Sequence, residues 1–180
     1  IGGCASLRSL RLDLDASLQC GGVLMDGVAR LVQELARVTL HQPTLQSLSL
    51  GYLWWSEASD EAVADLRAAL AALTGTDCRE GGGLRRVAVR YAQDQELGAL
   101  DQVCTALEDA AAGLEEVCLV ECWASDGQGF SGLADVLATC QRLRRADVLG
   151  LLPEGFDKEA FLASAAPGAS GRVTFRAADD

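Results

Sequence analysis

Histidine and cysteine carry most nucleophilic and metal chemistry at neutral pH, and this chain uses them sparsely. It has one histidine, His41, and seven cysteines, none of them in a Cys-x-x-Cys pair. A serine or cysteine nucleophile therefore has only one candidate imidazole base, and His41 falls in the predicted turn His41-Gln42-Pro43. Structural zinc sites need four closely spaced sulfur or nitrogen ligands. We therefore expect no metal and no cofactor.

Carboxylate pairs are no stronger a sign of catalysis. Glu115 and Glu116 are adjacent in a predicted strand, so their side chains should point to opposite faces of the sheet. Two carboxylates on opposite faces make a poor acid–base pair. No nucleophile elbow, zinc-protease helix, dinucleotide loop or phosphate loop is present. The sequence thus predicts a protein that is not an enzyme and has no small-molecule substrate.

Three cysteines have a predicted environment. Cys104 and Cys140 lie on apolar helical faces and are expected to be buried. Cys118 is expected on an exposed sheet face near Arg86 and Arg145. A neighbouring arginine can lower a thiol pKa, so redox sensing is a minor alternative for this residue. The odd number of cysteines indicates a reducing, intracellular setting.

An internal repeat is the strongest pattern in the chain. Five segments follow L-x-x-[L/V/A]-x-[L/V], and a sixth, from Ser170, lacks the first leucine. The five begin at Leu7, Leu45, Leu84, Leu114 and Leu143. Successive starts are separated by 38, 39, 30, 29 and 27 residues. We number positions within each unit from this first residue.

Helical patterns lie between these segments. Apolar residues recur three and four apart, as in Val63, Leu66, Leu70 and Leu73, and Ser59 is a suitable N-cap for that helix. Ser131 is the predicted cap of the fourth helix. Strand and helix alternating along the chain predict an α/β fold with parallel strands and right-handed crossovers.

The repeat resembles the ribonuclease-inhibitor-like class of leucine-rich-repeat proteins, and the resemblance covers nearly the whole chain. It implies that residues 1–180 form a single leucine-rich-repeat domain. In that solenoid a parallel sheet forms the concave side and helices form the convex side. The family mostly supplies binding surfaces for proteins. Its usual Asn or Cys at position 9 is met here only by Cys122.

Arginine is concentrated on the predicted sheet. Positions 1, 4 and 6 should point into the core, and positions 2, 3, 5 and 7 outward or to the rim. The candidate partner-binding arginines are Arg85, Arg86, Arg90, Arg144 and Arg145. One interpretation is that they grip an acidic or mixed-charge protein; the other is cross-strand pairing, with Glu116 between Arg86 and Arg145.

Aromatic residues form a second candidate surface. Tyr52, Trp54 and Trp55 follow the second strand segment, while Tyr91 is in register with Tyr52 and Trp123 with Trp54. These side chains would meet at one edge of the arc, either as a partner interface or as a roof over the core. Trp55 is expected to be the most exposed, since neighbours in an extended segment point opposite ways.

Charge and chain ends set the remaining expectations. A net charge of −11 argues against nucleic acid, and no apolar run is long enough for a membrane span. The chain begins at Ile1, so it is either a processed product or a fragment. Removal of a presequence would indicate an organelle protein (mitochondrion or chloroplast); otherwise the protein is expected to be cytoplasmic. The repeats reach both chain ends, which favours a structural or assembly subunit of a larger complex, bound to protein subunits. The alternative is a reversible recognition module, an adaptor or inhibitor.

Overall fold

The computed structural model describes most of the chain. The described residues are 7–13, 21–39, 44–53, 55, 58–75, 83–90, 99–122, 127–150, 152, 156–165 and 172–176.

Strands and helices alternate throughout. The strands are β1 (Ser9–Asp13), β2 (Ser47–Gly51), β3 (Arg86–Arg90), β4 (Glu116–Val120), β5 (Arg145–Leu149) and β6 (Val173–Arg176). The helices are α1 (Gly21–Thr39), α2 (Asp60–Thr74), α3 (Ala99–Leu107), α4 (Gly127–Thr139) and α5 (Lys158–Ala165). The predicted α/β class is confirmed.

All six strands form one parallel sheet in chain order, β1 to β6. Each strand pairs with the next in the same register, so that equal positions of the sequence motif stand side by side. The row at position 4, for example, is Leu10, Leu48, Val87, Val117, Ala146 and Val173.

One face of the sheet is buried under the helices. Positions 4 and 6 of β2, β3 and β4 are at most 2% exposed, and each helix packs against the next one along the chain. These strand residues and the apolar helix faces form a single core. The prediction that positions 1, 4 and 6 point inward is confirmed. Burial is incomplete at the first strand, where Leu10 and Leu12 are half-buried.

Backbone hydrogen bonds recur at fixed positions. The carbonyl at position 2 accepts from positions 2 and 3 of the next strand: Gln46 O, for example, accepts from Arg85 N and Arg86 N at 3.0 Å each. At position 8, Tyr52, Glu121 and Gly150 all have positive φ, of 57°, 51° and 136°. The amide of each donates to the position 7 carbonyl of the following strand. The three strands thus end at a residue with positive φ at the same position of the unit.

Helix starts agree only in part with the sequence patterns. Ser59 caps α2 as predicted, its hydroxyl accepting from Ala62 N at 3.1 Å. The predicted cap at Ser131 is wrong, because α4 already begins at Gly127. Phe130, 4% exposed, belongs to the same buried face as Leu133, so burial favours extending the helix upstream of Ser131.

Candidate functional site

The face of the sheet away from the helices carries most of the positive charge. We call it the open face: positions 3, 5 and 7 of the strands, with position 2 at its rim. Its described residues include nine of the chain's fifteen basic residues and four carboxylates. The arginines are Arg8, Arg11, Arg85, Arg86, Arg90, Arg144, Arg145, Arg172 and Arg176. The carboxylates are Asp13, Glu115, Glu116 and Asp147.

Position 2 forms a charged ladder across three units. Glu115 lies between two arginines, 3.2 Å from Arg85 on one side and 3.3 Å from Arg144 on the other. The Glu115 side chain is only 15% exposed, whereas that of Arg144 is 74% exposed. Glu115 is therefore mostly covered between the two arginines, while Arg144 faces solvent.

Position 3 forms a second row of pairs. Arg86 stands opposite Glu116 in the register and binds it at 3.0 Å. Arg145 stands on the other side of Glu116, but its Nε donates to Asp147 of its own strand at 2.7 Å. That hydrogen bond is the main reason why the pKa of Arg145 is raised. Of the two cross-strand pairs expected from the sequence, Arg86 with Glu116 is therefore present, whereas Arg145 binds Asp147 and not Glu116.

Arg90 differs from these arginines. It lies at position 7 of β3, beside Gly51, and is half-buried. Its Nε is covered from solvent and has no hydrogen-bond partner, and its guanidinium makes no ion pair within the described part of the chain. The hydroxyl of Ser49, one strand away, is also buried without a partner. Two unsatisfied polar groups therefore lie on the same face of neighbouring strands, two register positions apart.

Cys118 is half-buried, not exposed as expected, and its environment does not favour the redox-sensing alternative. Its pKa is raised, first because burial disfavours the thiolate and second because Asp147 is close by. Arg90 and Arg145 act in the opposite direction but do not compensate. The pKa values of Cys104 and Cys140 are also raised by burial, that of Cys140 to about 12. Burial of Cys104 and Cys140 was predicted correctly.

The aromatic edge is described only in part. Trp54, Tyr91 and Trp123, like His41, lie outside the described residues. Tyr52 is half-buried. Trp55 is 1% exposed, so the expectation that it is the most exposed aromatic residue is wrong. The left-handed turn at Tyr52 interrupts the extended backbone, so strand alternation cannot be extrapolated as far as Trp55.

Two structural clusters were missed by the sequence analysis. All four phenylalanines gather near the C-terminal units, and the ring centroids of five of their six pairs lie 4.6–6.2 Å apart. They are Phe130, Phe156, Phe161 and Phe175. Because phenylalanine is absent before residue 130, the sequence could have indicated an aromatic cluster in the C-terminal units. On the helix side, Arg67 of α2 binds Asp109 through two hydrogen bonds of 2.6 and 2.7 Å. This pairing holds the pKa of Asp109 below its usual value.

The grooves between helices have the opposite charge to the open face. One of about 390 Å³ lies between α1 and α2 and is lined by Asp26, Glu34, Glu61, Asp65 and one arginine, Arg30. Another of about 510 Å³ lies between α3 and α4 and is lined by Asp101, Glu108 and Asp135. Positive charge is therefore confined largely to the open face of the sheet.

Comparison with known proteins adds no assignment. No protein-family model, curated protein or solved structure matches the chain. Within the described ranges, no group of His, Cys, Asp and Glu side chains could hold a metal ion. The helices that the structure describes include none with the length and apolar character needed to cross a membrane. The candidate site therefore rests on the geometry and charge of the open face alone.

Proposed function

We propose that the chain is a leucine-rich-repeat solenoid of the ribonuclease-inhibitor-like class, with the open face as its concave side. Three observations support this. Six strands pair in one register, strand and helix alternate throughout, and the hydrogen bonds at positions 2 and 8 recur from unit to unit. A solenoid explains all three, because each unit repeats the same backbone and buries its apolar side against its neighbours.

The function that this geometry supports best is a non-catalytic scaffold that binds another protein through the open face. The observation that carries it is the segregation of charge: nine arginines lie on one face of a chain whose net charge is −11. Arginine side chains bind carboxylates with two parallel hydrogen bonds, and complementary charge steers and orients protein partners. Nucleic acid is disfavoured because carboxylates are interleaved among the arginines and would repel phosphates.

Site-specific photo-cross-linking tests this proposal. A photoreactive amino acid is placed at Ser47, on the open face, or at Ala68, which is exposed on α2. With cell extract of the source organism, the Ser47 probe is expected to cross-link a defined protein, and the Ala68 probe is not. Combining the Ser47 probe with Arg86→Glu and Arg145→Glu should abolish the product. Equal products from both probes would contradict the proposal.

A second candidate function is a subunit of a larger, reducing intracellular assembly. The specific observation in its favour is that Leu10 and Leu12 of β1, at core positions, are only half-buried. A neighbouring subunit stacked on β1 would cover them. Sedimentation of the native complex, isolated with the Leu10→Ser variant in place of the natural chain, tests this idea. Loss of the complex from a chain that stays folded is expected, whereas an intact complex would contradict it.

A further inference from the structure

The strongest unexplained feature of the open face is the environment of Arg90. A buried N–H group without an acceptor is unfavourable by roughly 1–3 kcal/mol, and buried polar groups are seldom left unsatisfied. Arg90 Nε and Ser49 Oγ are both in this condition, in neighbouring strands of the same face. Something that accepts hydrogen bonds from both would remove the penalty.

No described residue supplies such an acceptor to Arg90 Nε or Ser49 Oγ. The outward side chains of β2 are the smallest on the face: Ser47, Ser49 and Gly51. Gly51 stands directly beside Arg90, and a methyl group there would collide with the carboxylate of Asp13 on the other side. The carboxylate of Asp13 thus lies over Gly51, beside Arg90. Asp13, however, pairs with Arg11 and makes no ion pair with Arg90.

The chemistry of the acceptor follows from charge. Arg11, Arg85, Arg86, Arg144 and Arg145 are each bound to a carboxylate of the chain itself. A guanidinium selects planar anions, and carboxylate is the anion that all the other pairs on this face already use. The bases of a single-stranded nucleic acid would also need stacking partners, and the described residues at positions 3, 5 and 7 include no aromatic side chain.

We propose that Arg90 and Ser49 form a subsite that binds a Glu or Asp side chain of an acidic protein segment lying across β2. This inference rests on the proposed function and specifies the partner chemistry. The partner's carboxylate accepts from the Arg90 guanidinium and from the Ser49 hydroxyl. The small side chains of β2 let the partner's backbone approach the sheet.

Fluorescence anisotropy with a labelled peptide of ten glutamates tests the subsite at low salt, with a ten-glutamine peptide and a ten-uridine RNA as further probes. Wild type is expected to bind only the glutamate peptide. Arg90→Gln should weaken binding about tenfold or more, as expected for loss of a charge-assisted hydrogen bond. Arg30→Gln, the same change on exposed α1, should alter it less than threefold.

Each contrary result has a distinct meaning. Equal affinity of Arg90→Gln and wild type would overturn the subsite but leave protein binding at the open face intact. Failure of wild type to bind the glutamate peptide, or tighter binding of the RNA, would overturn the acidic partner, whereas cross-linking at Ser47 tests protein binding independently. If Arg90→Gln does not fold, nitrogen-15 NMR of wild type replaces it. The Arg90 Nε–Hε signal, assigned with Arg90→Lys, should move with glutamate peptide, and a stationary signal would overturn the proposal.

Discussion

Substitutions at Trp55 test whether this residue belongs to the core or to an interface. The indole is 1% exposed within the main core, so Trp55→Ala should leave a cavity. Replacing a buried tryptophan by alanine typically destabilises a protein by about 3–5 kcal/mol. For a chain of this size, each kcal/mol lowers the melting temperature by roughly 2–4 °C. Trp55→Ala should therefore lower the melting temperature by roughly 6–20 °C.

A second substitution at the same position sharpens the prediction. The indole Nε1 is buried and has no hydrogen-bond partner within the described structure. Trp55→Phe keeps most of the apolar ring but removes this unsatisfied N–H group, whose burial costs about 1–3 kcal/mol. The two effects oppose one another, so we expect Trp55→Phe to change the free energy of unfolding by less than about 1.5 kcal/mol.

Thermal and urea denaturation, both followed by far-ultraviolet circular dichroism, measure the two variants, since this signal does not depend on the lost tryptophan. Partner binding is measured with the Ser47 photo-cross-linking probe. A fully folded Trp55→Ala variant with unchanged melting temperature and reduced cross-linking would show that Trp55 is an exposed contact residue, and the burial argument would be refuted. Equal destabilisation by Phe and Ala would refute the argument about the indole N–H.

Two further predictions concern the ladder and the buried thiols. Glu115→Gln removes the negative charge that binds both Arg85 and Arg144, so it should lower the free energy of unfolding by about 0.4–2 kcal/mol at low salt. The difference from wild type should shrink in 1 M NaCl, because salt screens ion pairs, and urea denaturation measures both effects. No change at low salt would mean that the ladder does not contribute to stability. Because the pKa values of Cys104 and Cys140 are raised in the folded state, the unfolded chain releases these protons first as pH rises above about 9. Stability should then fall with rising pH, by up to about 1.4 kcal/mol per pH unit for each thiol, and Cys140→Ala should flatten that slope.

The sheet was predictable because two constraints in the sequence coincide. The motif fixes which strand residues are apolar, and equal positions must align if every unit buries the same side. Leu48, Val87 and Val117 therefore stand in one row, as their positions in the motif require. The row of Arg86, Glu116 and Arg145 follows from the same register.

What the sequence could not provide are choices between nearby alternatives. Arg145 has Glu116 across the strand and Asp147 two residues away, and only side-chain geometry decides between them. The left-handed turn at position 8 was equally hard to foresee, because Tyr52 and Glu121 rarely adopt positive φ. Gly150, at the same position, was the one hint that a turn ends each strand.

The pairing of the arginines determines where binding energy can be gained on the open face. A partner carboxylate that binds Arg86 must displace Glu116, so one ion pair replaces another and the net gain is small. At Arg90 no internal pair is lost within the described structure, and a buried N–H group gains an acceptor. Affinity should therefore concentrate at Arg90 in the middle of the sheet, while the paired arginines around it set orientation and exclude partners of the wrong charge.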